Sequence, residues 1–325
     1  MKSKGRHILS VSIILSVLLV MQSCGGKKVQ AVNDPSGLKG HISLSGAFAL
    51  YPLAVRWGAE FQRMHPGVTV DISAGGAGKG ITDALAGQVD LGMVSRELKP
   101  AEAEKGALPF AVGMDAVVPT VNVRNPAYKY LRRHGLSLQT ARRLWLGGES
   151  LSWGSVVGRK DIAYPVHLYT RSDACGAAET WASWLGGTQE DLQGVGVYGD
   201  PAVAQQIQKD ALGIGMNNIG YVYDNKTNRF LPGIAIAPID VNGNGRIDAD
   251  EDFYDSRLKL IEAIRVGKYP MPPARNLYLV SNGKPKGKVL RAFLEYVLSE
   301  GQKINLSAGY LPLDNKRLAD EKSKM

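Results

Sequence analysis

The stretch Val68–Ser95, VTVDISAGGAGKGITDALAGQVDLGMVS, decides the fold class. VTVDISAGG reads as a strand that runs out into glycines, and KGITDALAGQ as a helix with Ile81 and Leu85 four residues apart on its inward face. VDLGMVS then reads as a second strand. Strand, helix and strand in this order predict a parallel sheet with helices on its faces.

The same alternation extends outward in both directions. HISLSG (His41–Gly46) precedes it as a strand, followed by a helix on which Leu53, Trp57 and Phe61 recur every fourth residue and which ends near His65-Pro66-Gly67. Further on, AYPVHLYT leads into AAETWASWLGG, and VGVYG into PAVAQQIQKDALGI, where Val203 and Ile207 share a face. FLEYVLSEGQKI reads as a late amphipathic helix. The expected fold is α/β and two-lobed, with VVPTVNVRN (Val117–Asn125) and NLYLVSNG (Asn276–Gly283) as the crossovers. Ligands of open α/β sheets sit beyond the carboxyl ends of the strands, so the loops at Ser45, Ala74 and Arg171 are expected to meet at a cleft.

A chain of 325 residues accommodates two such lobes. Its net charge is +9, but Lys2, Lys4 and Arg6 lie in a leader, and the other basic residues are interspersed with acids, which argues against nucleic acid as a partner. The leader has a basic start, MKSKGRH, an apolar run from Ile8 to Met21 too short for a comfortable membrane span, and then small residues, which is the form of an export signal. VMQSCGG resembles the lipobox of bacterial lipoproteins, which implies that residues 1–24 are a lipoprotein signal ending at a lipidated Cys24. The protein is then exported and held on the cell-envelope membrane by lipid, with residues 25–37 as a polar tether. That leaves Cys175 as the remaining thiol and no disulfide framework.

Three loops share one form, small residues between a strand and a helix start: SGAFALYP, SAGGAGKG and TRSDACGAAET. Each leaves backbone N–H groups free at the positive end of a helix, a setting for an anion, although small residues there also serve tight turns. Arg171 is expected to add a bidentate positive charge. Cys175 reads either as a weak donor or reactive thiol whose pKa the helix lowers, or as a small buried hydrophobe. Trp57, Trp181 and Trp184 fall on apolar helix faces, favouring core over sugar stacking. The five histidines show no zinc spacing, and neither a nucleophile elbow nor a Ser-His-Asp order is present, so the sequence points away from an enzyme.

YPLAVRWGAEFQRMHPGVTVDISAGGAGKGI, VDLGMVSREL, GMDAVVPTVNVRNP, IGYVY, NLYLVSNGKP and FLEYVLSEGQKI followed by GYLPL resemble, in order and spacing, the phosphate-binding substrate-binding proteins of ABC transporters. The resemblance spans about Ser45 to Leu313 and implies a two-lobed periplasmic-binding-protein (Venus flytrap) fold without catalysis, which carries phosphate or another small oxyanion to an ABC permease. It implies one lobe over residues 38–120 and 277–325 and another over 121–276. By position the family's ligand contacts fall on Ala47, Phe48 and Ala49, on Ala77 and Gly78, on Ser95, and on Arg171, Cys175, Gly176 and Ala177. Where the family tends to carry Ser or Thr, this chain has Ala47, Ala49, Ala77, Cys175 and Ala177. Three readings follow: backbone amides with Arg171 and Ser95 hold phosphate, the pocket takes another small anion, or the flytrap is a sensor or interaction module that no longer binds phosphate.

DVNGNGRIDADE (Asp240–Glu251) matches the twelve-residue calcium loop. Asp240, Asn242, Asn244, Asp248 and Glu251 supply side-chain oxygens and Arg246 its carbonyl, with Gly245 at the sharp turn. A single loop of this kind in an exported protein predicts a structural Ca2+ in the second lobe.

Overall fold

A computed structural model describes Asp34 and residues 36–325. The leader, Cys24 and most of the tether lie outside the described residues. Among the described residues no helix is long and apolar enough to cross a membrane.

The strands are β1 (Gly40–Gly46), β2 (Val68–Ala74), β3 (Leu91–Val94), β4 (Ala107–Asn122), β5 (Leu136–Ser137), β6 (His167–Arg171), β7 (Val195–Val197), β8 (Gly213–Asn218), β9 (Ile234–Ile236), β10 (Ile239–Asp240) and β11 (Ala274–Asn282). One sheet runs β2-β1-β3-β11-β4-β8-β6-β7, with β9 also on β4, while β5 and β10 pair separately. At one end β1 lies parallel to β2 and β3, and at the other β6 lies parallel to β7 and β8. These are the strand-helix-strand units expected from the alternation. Between them β4 and β11 run antiparallel to each other and carry the chain from one lobe into the other.

β4 can serve both lobes because its sequence, ALPFAVGMDAVVPTVN, is apolar almost throughout and is buried over nearly its whole length. It begins at Ala107, well before the Val117 start read from the sequence. Two hydrophobic cores result. One gathers Leu44, Leu53, Trp57, Phe61, Phe110 and Phe293, and the other Val117, Trp145, Trp181, Ile214, Ile236 and Tyr254. They part between Val112 and Ala116 on β4, ahead of the boundary at 120, and between Ala274 and Leu277 on β11.

The helix Tyr51–Met64 opens with Pro52 in its first turn, where the missing N–H costs nothing, and buries Leu53, Trp57 and Phe61. Trp57 and Trp181 are fully buried, as their helix spacing predicts. FLEYVLSEGQKI, read as one helix, is divided between helices Lys288–Val297 and Gln302–Ala308. The break falls at Ser299-Glu300-Gly301, where the Ser299 hydroxyl donates back to the Glu295 carbonyl and competes with helix continuation.

Candidate anion site between the lobes

The first loop links β1 to the helix Tyr51–Met64. Ala47 N–H donates to the Met93 carbonyl at 2.8 Å, and the Leu50 and Tyr51 amides both return to the Ala47 carbonyl at 3.1 Å. The Phe48 and Ala49 amides have no acceptor among the described residues. In the second loop Gly76 takes φ +91° to cap the helix Ala77–Leu85, and the Gly78 amide donates across the lobe boundary to the Ala174 carbonyl at 3.1 Å. In the third, Cys175 caps the helix Gly176–Leu185, its sulfur accepting from the Ala178 amide at 3.4 Å, while the Gly176 and Ala177 amides have no described acceptor.

The loops converge on the boundary between the lobes. A Cβ on Gly176 would lie 2.2 Å from the Ser95 carbonyl and 2.4 Å from its hydroxyl, and one on Gly78 would lie 2.9 Å from the Ala174 Cβ. Only glycine lets the two sides approach this closely. The methyls of Ala47, Ala49 and Ala77 belong to the first core, and Cys175 and Ala177 to the second, so these positions offer backbone rather than side-chain donors. Ser95 supplies the side-chain hydroxyl and is 2% exposed.

Arg171, at the end of β6, has a side chain only 1% exposed. Its Nε and Nη2 grip Asp173 at 2.8 and 2.6 Å, and Nη1 holds Asp200 at 2.5 Å. The bidentate face expected for a ligand is therefore turned to Asp173, and each terminal nitrogen keeps one further N–H. Both carboxylates are themselves fixed: Asp173 accepts from the Gly199 amide at 3.1 Å and Asp200 from the Asn218 amide at 3.1 Å. Burial opposes the charge on Arg171, but Asp200 and then Asp173 more than offset it and hold its pKa above the ordinary range. The ring of Phe48 covers the guanidinium at 5.6 Å, within cation–π reach.

Behind Arg171 stands a buried pair from the crossover strands, Arg275 on β11 and Asp115 directly opposite on β4, joined at 2.8 Å. Arg275 also donates to the Asn218 side chain, so the pair connects through Asn218 to Asp200 and Arg171. Arg96, next to Ser95, is committed to Glu102 at 2.9 and 2.7 Å. The charges around the loops thus sum to about minus one, with Arg171 facing two carboxylates and Arg275 cancelling Asp115. An anion here has to be held by N–H dipoles and helix ends rather than by net charge.

Cys175 is 5% exposed, and burial pushes its thiol up to about 12 against the pull of Arg171. It is the buried hydrophobe of the two readings, with a capping role added. Asp173 and Asp200, which hold Arg171, and Asn218, which links Asp200 to Arg275, are residues of the candidate site that the sequence reading missed. The Asp two residues after Arg171 and the Gly-Asp-Pro helix start at 199–201 are the signals that could have found them. A crevice of about 370 Å3 lined by Arg96, Glu97, Glu179, Thr180, Met271 and Arg275 borders the end of the third loop segment and touches neither of the other two.

The loop Asp240–Glu251 leaves β10 in the second lobe. Asp240 and Glu251 are each 5% exposed and turn their carboxylates into the loop. Asp240 accepts the amides of Gly243, Asn244 and Gly245, and Glu251 those of Val241, Asn242 and Asp248. Asp248 instead meets Arg246 at 2.8 Å and the side-chain amides of Asn242 and Asn244. The donor set is all oxygen, as calcium requires. Among the described residues no three His, Cys, Asp or Glu side chains converge as a metal site, so calcium rests on the spacing of the sequence.

Residues 31–301 match the family model of the PBP superfamily domain. The chain is 26% identical to the phosphate-binding protein PstS of Pseudomonas aeruginosa, over 94% of this chain and 95% of that protein. It is 23% identical to the protein SphX of Synechococcus elongatus, over 88% and 81%. A structure of a putative phosphate ABC transporter substrate-binding protein with bound phosphate from Clostridium perfringens superposes with a TM-score of 0.69 at 20% identity, over 85% of this chain and all of that one. An ABC-type phosphate transport receptor from Vibrio cholerae gives 0.61 at 16% identity, over 84% and 100%. These structures share the two-lobed fold.

Proposed function

The chain belongs to the periplasmic-binding-protein (PBP) superfamily, and from that footing we propose that it is the phosphate-binding component of an ABC importer, closing on the anion and presenting it to a membrane permease. Its similarity to the phosphate-binding protein PstS of Pseudomonas aeruginosa, over nearly the full length of both chains, supports this reading. The observation that carries it is the meeting of three helix-start loops around Arg171, with unclaimed amides at Phe48, Ala49, Gly176 and Ala177. A hydrogen bond to a charged group contributes about 1.5–3 kcal/mol, so four amides and Arg171 can replace the hydroxyls the alanines lack. The Gly176 and Ala177 dipoles are preorganised by their helix and need no reorientation when the anion arrives.

Two finer features complete the proposal. Cys24 is lipidated and tethers the mature chain to the envelope membrane, a reading supported by the leader and the VMQSCGG stretch. Asp240, Asn242, Asn244, Arg246, Asp248 and Glu251 hold a structural Ca2+, a reading supported by their spacing and by the inward carboxylates of Asp240 and Glu251. Bound calcium would supply positive charge to an acidic turn and brace it.

The experiment is a calorimetric titration of phosphate into the chain without residues 1–24, with sulfate as competitor. Saturable heat at micromolar phosphate is expected. Absence of heat at millimolar phosphate would overturn the reading in favour of another anion or of a sensor that keeps the flytrap fold.

A further inference from the structure

Phe48 belongs to the first lobe's anion loop, yet its ring sits on the second lobe. It lies edge-on to Tyr198 at 5.9 Å, and a Cβ on Gly199 would come within 3.1 Å of the ring. Its carbonyl is held from the same side: Tyr221, at the end of the turn Ile219–Tyr221 that follows β8, donates its hydroxyl to the Phe48 oxygen at 2.9 Å. We propose that Tyr221 is a positioning residue, tying closure of the lobes to the orientation of the Ala49 amide. The inference rests on the anion reading of the first loop.

The Phe48–Ala49 peptide is planar and trans, so its N–H points opposite to its C=O, and anchoring one aims the other. On the far side of Ala49 the next peptide is already fixed within its own lobe. The Ala49 carbonyl accepts from the Tyr310 hydroxyl at 2.8 Å, and the Leu50 amide returns to Ala47. The Phe48–Ala49 peptide is thus the unit of this loop whose carbonyl anchor comes from the opposite lobe. When the lobes part, that anchor is withdrawn and the peptide is free to turn. Alanines at 47 and 49 leave the loop no hydroxyl with which to hold an anion meanwhile. Burial, and then the neighbouring Asp200, hold the Tyr221 phenol above its ordinary pKa, so it remains a donor throughout the physiological range.

The test replaces only the hydroxyl, Tyr221→Phe, in the chain without residues 1–24, with Tyr310→Phe as the comparator inside one lobe. Spin labels on Glu104→Cys and Lys160→Cys, exposed positions on opposite lobes, report the inter-lobe distance, and stopped-flow mixing with phosphate reports the rates. The expected result for Tyr221→Phe is a longer mean distance in phosphate-free protein and dissociation about tenfold faster, with association within about twofold and the melting temperature unchanged. Unchanged distances and dissociation rate, or a change that merely follows a lowered melting temperature, would overturn the proposal. If the unsubstituted protein takes up no phosphate, the functional reading fails, and the distance measurement alone decides whether Tyr221 holds the lobes together.

Discussion

At the scale of single residues, the site is governed by how Arg171 is partnered. Two buried carboxylates on one buried guanidinium leave little of its charge for a ligand, and each pair contributes charge-assisted hydrogen bonds of about 1.5–3 kcal/mol. Asp200→Asn keeps the shape of the site and removes one negative charge from beside the expected ligand. The substitution should tighten phosphate binding by about tenfold, since like charge is relieved in a low-dielectric setting, while lowering the melting temperature. Isothermal titration with a parallel thermal melt measures both. Cys175 gives a second prediction. With its thiol pushed up to about 12 by burial and its sulfur engaged by the Ala178 amide, it should ignore a thiol-specific chromogenic reagent at neutral pH and react only once the fold is opened with denaturant. Rapid labelling of the folded protein would contradict that placement.

At the scale of elements, the lobes meet through glycine. Gly176 opens its helix directly against Ser95, and the clash that an added methyl would create falls between the lobes rather than inside either core. Gly176→Ala should therefore weaken phosphate binding about ten- to hundredfold, matching an overpacking penalty of about 1–3 kcal/mol, with little loss of thermal stability. Equal losses of both would place the clash within a core. The proposed calcium loop Asp240–Glu251 is the other element with a clear expectation: if it binds, calcium at about ten times its dissociation constant adds about 1.4 kcal/mol of stability. A chelator should lower the melting temperature by a few degrees, and calcium but not magnesium should restore it. An identical melt with and without chelator would remove the loop from the metal assignment.

The same scale explains what could be read in advance. Helix faces at Leu53, Trp57 and Phe61 and the strand-helix-strand order were legible because burial imposes a period on the sequence. The extent of β4 was not, because a strand buried in two lobes is apolar throughout and carries no period with which to mark its ends. The anion loops could be located from their small residues before helix starts. The pairing of Arg171 with Asp200 could not, since Asp200 comes from a separate element and the Gly-Asp-Pro stretch marks it only as a helix start.

At the scale of the whole molecule, the fold makes one mechanical unit of two lobes and a pair of shared strands. Arg275 and Asp115 face each other where β11 and β4 cross between the cores, and their link through Asn218 reaches the anion site. Two lobes joined by a pair of shared strands, with the candidate site between them, are the arrangement a hinge-closing binding protein requires. The proposed lipid tether belongs to this scale too. Expressed with its leader in a bacterial host, the chain should partition with membranes, and Cys24→Ala should abolish lipid incorporation; incorporation that survives the substitution would refute the anchor. The measurement that bears most directly on the account is a crystal structure grown with arsenate, a tetrahedral phosphate mimic whose arsenic scatters anomalously. One strong anomalous peak is expected between the lobes, within hydrogen-bond reach of Arg171 and of the amides of Phe48, Ala49, Gly176 and Ala177. A peak bound elsewhere, or closed lobes with none, would contradict it.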